Sequence, residues 1–574
     1  MAEGIVVSDL LRNTWLTLDN RLRLLRRQRL DYVVLRMSGD YPERTLVPRR
    51  RFPLSLLPWP PPPPSVEAFT NRLERLAVDP RVKGIVLILS SLSAGPATLA
   101  SLRQAIVRFR DSGKRAIAYL HTLSMWPYYL ASACDEILAP ESATLRLAGL
   151  WAETIFLKNA LDLVGIEGDF EAIAEYKVSP DTYRRTKMTE PHREMLESLL
   201  GSLYNELTGA MAKGRGLTVE RVQALLDKVP SSAQQAQEAG LLDRVCYEDE
   251  LAASLGAPED PAILLTWDQA QRHLLRIRRW RSRRRIGVIS LEGTIVPGLS
   301  RRLPIRLPLP VPFPDSQAGS DTVIQQLRAA AQDKRLAAVV FHVDSPGGSA
   351  MASDLIWREV AHLRSIKPVV VYMSNQAASG GYYVSAPANA ILAQAVTLTG
   401  SIGVWGGKFV TQGLLEKLRV GREVVKRGKG AGLYSDIAPF TEDERAKIRA
   451  DIGASYARFR SHVAEGRGME VDEVEAVARG RVWTGEQALA HGLVDDLGDL
   501  HAAADRARQL AGISPCRYAP LLNIRPPRRH LAPQPISEDV AAGDFRMAGW
   551  FSSAAAILRE GIFALAPWMI RIRS

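Results

Sequence analysis

The sequence predicts an α/β protein made by tandem duplication of one module, each copy a mostly parallel sheet with flanking helices. Three observations predict it. Short apolar runs such as Val339 to Val343 and Val369-Val370-Val371-Tyr372 alternate with helical stretches, the pattern of β-α-β units. The chain also matches itself at a shift of 254 residues, and one constant shift held over more than a hundred residues marks a repeat. Finally, 574 residues exceed what one core accommodates, while 46% hydrophobic and 24% charged residues leave ample material for burial.

The chain divides in order. Residues 1–29 are expected to form an amphipathic helical extension, with Leu10, Leu11, Trp15, Leu18, Leu22 and Leu25 near the helical period. The first repeat covers 30–270 and the second 286–510. Tyr32 to Gly39 falls on Ile286 to Gly293, Asp79 to Leu87 on Asp333 to Phe341, and Tyr128 to Ala133 on Tyr382 to Pro387. Further on the shift becomes 252, and Gly214-Arg215-Gly216 meets Gly466-Arg467-Gly468. Each copy carries a proline-rich excursion after its first strand, Pro58 to Pro64 and Pro304 to Pro314, which cannot pair as a central strand and reads as an exposed loop.

Between the repeats lies an arginine-rich linker, 271–285. With a net charge of +12 and a tryptophan inside the run Arg276 to Arg285, it suits an anionic membrane surface or nucleic acid, or is simply a solvated linker. It carries no recognisable nucleic-acid module, so no nucleic-acid partner is expected. Residues 511–545 read as a second linker. The last stretch, 546–574, is expected to be an amphipathic helix. Its central Arg559-Glu560 pair argues against a spanning helix, and Trp550, Phe551, Phe563 and Trp568 suit the membrane interface or a neighbouring subunit. No secretory signal and no long uncharged apolar stretch is apparent. Cys134, Cys246 and Cys516 are far apart and odd in number, without zinc or redox spacing, and read as buried thiols in a reducing compartment.

The copies differ where chemistry is possible. In the second, Gln376-Ala377-Ala378-Ser379-Gly380-Gly381-Tyr382-Tyr383 follows an apolar strand and reads as a strand-to-helix corner presenting a hydroxyl; the plainer reading is a turn with an idle serine. The first copy has Met125-Trp126-Pro127 there. Likewise Asp344-Ser345-Pro346-Gly347-Gly348-Ser349 falls on Ser90 to Gly95, and only the second copy keeps the Pro-Gly-Gly turn. Amides of Gly347 or Gly348 with that of Gly380 supply the two donors of an oxyanion hole. A serine hydroxyl also needs a base. His342, His362, His462 and His491 have no distinctive setting. Burial can make a lysine the base. Lys177 alone reads as an exposed lysine, and at the 252 shift it matches Lys429, so both copies hold an amine there.

These motifs, with Thr397-Leu398-Thr399-Gly400-Ser401-Ile402-Gly403-Val404 and Gly480-Arg481-Val482-Trp483-Thr484-Gly485, resemble the signal peptide peptidase A (protease IV) family in its long, two-repeat form. The resemblance implies a ClpP/crotonase-like fold and a serine-type endopeptidase. It implies a Ser-Lys dyad, with Ser379 as nucleophile from the second repeat and Lys177 as general base from the first. Short relatives take both from one repeat, which keeps Lys429 as the alternative. It further implies peptide substrates such as spent signal peptides, no cofactor or metal, a ring-like homo-oligomer (a tetramer), and peripheral association with a prokaryotic cell membrane. The rival readings are a crotonase-like acyl-CoA enzyme and a non-catalytic membrane scaffold.

Overall fold

A computed structural model describes residues 7–26, 28–45, 64–257, 259–302, 316–527, 562–565 and 571–573. Each repeat is built on a parallel sheet. In the first, the strand order is Leu264–Thr266, Tyr32–Gly39, Gly84–Leu92, Arg115–Leu120, Glu136–Ala139 and Arg244–Val245, every pair parallel. In the second, Leu521–Asn523, Arg285–Glu292, Leu336–Ser345 and Val369–Ala378 pair in the same sense, and Ala390–Ala393 continues the sheet. Register is conserved as well as order: Val33 faces Ile85, and the residues 254 further on, Gly287 and Val339, face each other. The central strands are buried on both faces, as continuous Val/Ile/Leu runs in a helix-covered parallel sheet require.

The helices repeat too. Glu190–Arg215 starts at a Thr189 cap and ends at left-handed Gly216; Glu442–Arg467 starts at Thr441 and ends at left-handed Gly468. Between the repeats runs a buried polar seam. Ser101 Oγ lies 2.9 Å from Tyr372 Oη, which donates to Glu43 Oε1 at 3.1 Å, and burial pushes the Glu43 carboxyl well above its usual range.

Two segments differ from the sequence-based expectation. Part of the expected linker after residue 510 is a strand, Leu521–Asn523, because its apolar pair completes the edge beside Ile286–Val288. Of the expected C-terminal helix, the described residues are two strands, Ile562–Leu565 and Arg571–Arg573, and the remainder lies outside the described residues. The proline-rich excursions fall almost entirely outside them too. Cys516 is exposed rather than buried, whereas Cys134 is buried and its thiol is pushed up to about 12.

The helix Val7–Leu25 is amphipathic with its polar side inward. Asn20 donates to the Arg276 carbonyl at 2.9 Å, and Asp9 accepts from the Arg281 amide at 2.9 Å. These bonds seat the helix along the backbone of the arginine run, while most of the run's arginines stay exposed. The apolar side faces out: Leu11 is 68% exposed, Trp15 53% and Leu25 75%.

Candidate active site

The site begins at the end of strand Val369–Ala378. Ser379 follows with φ 56° and ψ −114°, and helix Gly380–Ser385 starts at the next residue. A non-glycine residue there costs on the order of 1–3 kcal/mol and persists only where its surroundings hold it. Here the Ser379 amide donates to Gly400 O at 2.7 Å, and the Tyr383 amide donates to Ser379 O at 2.8 Å. Glycine at 380 is needed because a Cβ there would sit 2.6 Å from Ser353 Oγ and 3.1 Å from the Gly348 nitrogen. The same close approach sets the Gly348 amide beside that of Gly380. The Gly347 amide, by contrast, donates to Ser345 Oγ at 3.1 Å.

Lys177 comes from the other repeat on a crossing arm. Strand Glu167–Ala172 pairs antiparallel with Trp405–Val410, from Trp405 facing Ala172 to Val410 facing Glu167. The Ile173 amide then donates to Val404 O at 3.0 Å, and the Tyr176 amide to Arg479 O at 3.3 Å. Arg445 bridges Asp169 and Glu171 of the arm, and Arg479 pairs with Glu175. The arm thus delivers Lys177 into the second repeat, where it is 1% exposed rather than a surface lysine. Gly480, at φ +84°, lies so close that a Cβ would sit 2.5 Å from the Lys177 backbone nitrogen.

Lys177 Nζ lies 2.7 Å from Ser379 Oγ, 3.0 Å from Ser401 O and 3.0 Å from Ser401 Oγ. A charged Nζ donates to all three oxygens, whereas a neutral one donates two N–H bonds to the Ser401 oxygens and turns its lone pair to the Ser379 hydroxyl proton. Burial pushes the Lys177 amine well below its ordinary 10.5, and among the described residues no carboxylate acts against that shift. The site therefore joins a hydroxyl, a buried amine aimed at it and close backbone amides, the parts of base-assisted acyl transfer.

The other sequence candidates lie elsewhere. Lys429 is in an exposed stretch outside helices and strands. His342 is buried, with Nδ1 3.3 Å from Ser290 Oγ and Nε2 3.0 Å from Ser374 Oγ, and burial holds it down to about 4. In the first repeat, Ser124 caps the helix Met125–Ala131 at an unstrained φ of −116°. Sequence reasoning missed Ser401 as a partner of the lysine and Gly480 as its seat. Both lie inside motifs already singled out, but one acts partly through its carbonyl and the other through the absence of a side chain.

The chain matches Peptidase family S49 over residues 108–259 and 361–514, one block in each repeat. It is 34% identical over 477 residues to "Serine protease SPPA, chloroplastic" of Arabidopsis thaliana, covering 81% of this chain and 69% of that protein. The chain belongs to peptidase family S49. It is 31% identical over 448 residues to "Protease 4" of Haemophilus influenzae, covering 75% of this chain and 71% of that one. Among solved structures, a ClpP1 mutant from Listeria monocytogenes aligns with a TM-score of 0.23 and 14% identity, over 38% of this chain and 94% of that one. As an S49 member with both repeats matched, the chain is a serine-type endopeptidase of the signal peptide peptidase A type.

Proposed function

We propose that Ser379 is the nucleophile and Lys177 its general base. The observation carrying this is the 2.7 Å approach of a buried amine, without a counter-charge, to a serine hydroxyl at a strained corner. Lys177 takes the hydroxyl proton as Ser379 Oγ attacks the peptide carbonyl, and the amides of Gly348 and Gly380 hold the oxyanion. The ammonium returns the proton to the leaving amine, and water, activated by the same lysine, hydrolyses the acyl-enzyme. Lys429 is the weaker candidate, being exposed.

The substrates proposed are short, unfolded, apolar-rich peptides such as spent signal peptides, met at a membrane surface. The outward apolar side of helix Val7–Leu25 supports peripheral attachment. Its polar side is used internally, and the neighbouring arginine run suits anionic lipid headgroups. Among the described residues no helix is long and apolar enough to cross a membrane. A ring-like homo-oligomer, of four chains by the family resemblance, is supported by an asymmetry between the arms. The first repeat's arm is paired on the second repeat, whereas the corresponding stretch of the second exposes Leu418, Val424 and Val425, the last at 89%.

A peptidase assay on Ser379→Ala, Lys177→Ala and Lys429→Ala tests the site. The first two are expected to be inactive and the third unimpaired. An active Lys177→Ala beside an inactive Lys429→Ala would replace this dyad by one within the second repeat.

A further inference from the structure

Two strands of the second repeat go out of step just before Ser379. Val343 faces Met373, but Ser345 faces Ala377, so strand Val369–Ala378 carries two extra residues against its neighbour. The corresponding pair in the first repeat runs without a shift from Gly84 facing Arg115 to Leu89 facing Leu120. A bulge of this kind bends its strand and re-aims the side chains beyond it. Here it sits at Ser374-Asn375-Gln376, and Ser379 follows the strand's end.

The bonds that hold the bulge come from both repeats. Asn375 Nδ2 donates to Asp344 Oδ2 at 3.1 Å and to Thr98 Oγ1 at 3.0 Å, and Asn375 Oδ1 accepts from the Thr98 amide at 3.2 Å. The last bond caps the first repeat's helix Pro96–Asp111, whose own capping residue, Gly95, has no side chain to offer. A Cβ at Gly95 would overlap Asn375 Oδ1. Asp344 Oδ1 accepts from the Gln376 amide at 3.2 Å, and the Asp344 carbonyl accepts from the Gly293 amide at 2.8 Å. Asn375 therefore joins Thr98 to a carboxylate four residues before Gly348, and is itself four residues before Ser379. At the 254 shift the first copy has Ser90 for Asp344 and His121 for Asn375.

We propose, resting on Ser379 as nucleophile and the Gly348 amide as an oxyanion donor, that Asn375 is a positioning residue for the hydrolysis. By tying Asp344 to the first repeat's helix, it sets the bulge that aims Ser379 and the loop that carries Gly348 against each other. The first repeat then supplies part of the site's geometry as well as its base. Misplacing the hydroxyl by about 1 Å costs about 10²-fold in rate, while peptide binding made away from the reacting carbonyl is kept.

The test exchanges the two ends of the Asn375–Asp344 bond. Asn375→Asp sets acceptor against acceptor, and Asp344→Asn leaves an N–H facing either Asn375 Nδ2 or the Gln376 amide. In the double variant donor and acceptor have changed places, and the residue at 375 still accepts from the Thr98 amide. In a peptidase assay each single variant is expected to lose about 10²-fold in kcat with KM within about twofold, and the double variant to recover to within about tenfold of the unmodified chain. The affinity of a Leu/Ala-rich peptide aldehyde, which needs both Ser379 and the amide donors, should fall and recover in parallel. A merely structural role would lower stability without this split and without the rescue. Folded single variants with unchanged kcat, or a double variant no faster than the slower single, overturn the proposal. If the single variants do not fold, Thr98→Val, which removes only the hydroxyl, decides: a loss of about fivefold in kcat at unchanged KM is expected, and unchanged kcat overturns the proposal. Ser379→Ala is assayed alongside. Hydrolysis surviving in it would sink the nucleophile and this assignment with it, whereas an inactive Ser379→Ala beside an unimpaired Asn375→Asp would sink this assignment alone.

Discussion

In the first repeat Tyr128 donates its hydroxyl to the Leu241 carbonyl at 2.8 Å; in the second, Tyr382 donates to Leu493 at the same distance. Arg215 holds Asp243 in one, and Arg467 holds Asp495 in the other. The Ile137 amide donates to Asp243 at 2.7 Å, and the Ile391 amide to Asp495 at 2.7 Å. Beside these shared bonds stand two differences. The corner after the third long strand is strained only in the second repeat, and the arm is paired with a strand only in the first. Duplication thus supplied two frames, and the proposed dyad takes one half from each. An amine present in both copies thus meets opposite surroundings, Lys177 carried into a buried site and Lys429 left exposed.

The sharpest way to break this asymmetry is to exchange its two lysines. Lys177→Met should lower kcat/KM on the order of 10³-fold or more, while Lys429→Met leaves it unchanged in the same peptidase assay. Lys177→Met should also make the protein more stable. The folded-state pKa of this amine is depressed, so between that value and 10.5 the unfolded chain binds the extra proton and stability rises with pH. The gain from removing the amine is therefore full at and below the depressed pKa and shrinks toward pH 10.5, as denaturant titrations across that range will read.

A smaller effect is expected at the seat of the lysine. Gly480→Ala adds a Cβ that would meet the Lys177 backbone at a left-handed position, and displacing the amine by about 1 Å costs about 10²-fold in kcat. Smaller again is Ser401→Ala, which removes one of two acceptors for the Nζ hydrogens while the Ser401 carbonyl remains. It should lower kcat about tenfold, within the range of a misdirected base. It should also move the rising limb of the pH profile to lower pH, because the protonated amine loses more from a missing acceptor than the neutral one. The least effect belongs to the shared frame. Tyr128→Phe and Tyr382→Phe should each cost about 1 kcal/mol of stability, similar in the two repeats, with kcat/KM little changed by the first. Unequal costs would show that the frames are no longer equivalent.

The repeat was legible because strand registers and the Arg-Asp and Tyr-carbonyl bonds need fixed spacings, which survive as a constant shift in sequence. Ser379 was legible from the Gly380-Gly381 pair, since close backbone packing leaves a compositional mark. Lys177 was not legible from its own segment. Its burial is made by pairing of residues 167–172 with strand 405–410, some 240 residues away, and only the resemblance to a family pointed to it. The expected C-terminal helix went astray for a related reason. Apolar residues at mixed spacing fit an amphipathic helix in isolation, whereas the described part finds unpaired strand edges in the folded chain.

The claim that the base comes from the first repeat is tested most directly by the rate at which a fluorophosphonate labels Ser379, followed against pH in the unmodified chain, Lys177→Met and Lys429→Met. Labelling should rise with pH through a single ionisation below 10.5 in the unmodified chain and in Lys429→Met, and be lost in Lys177→Met. A pH-dependent rate that survives in Lys177→Met and vanishes in Lys429→Met would contradict it.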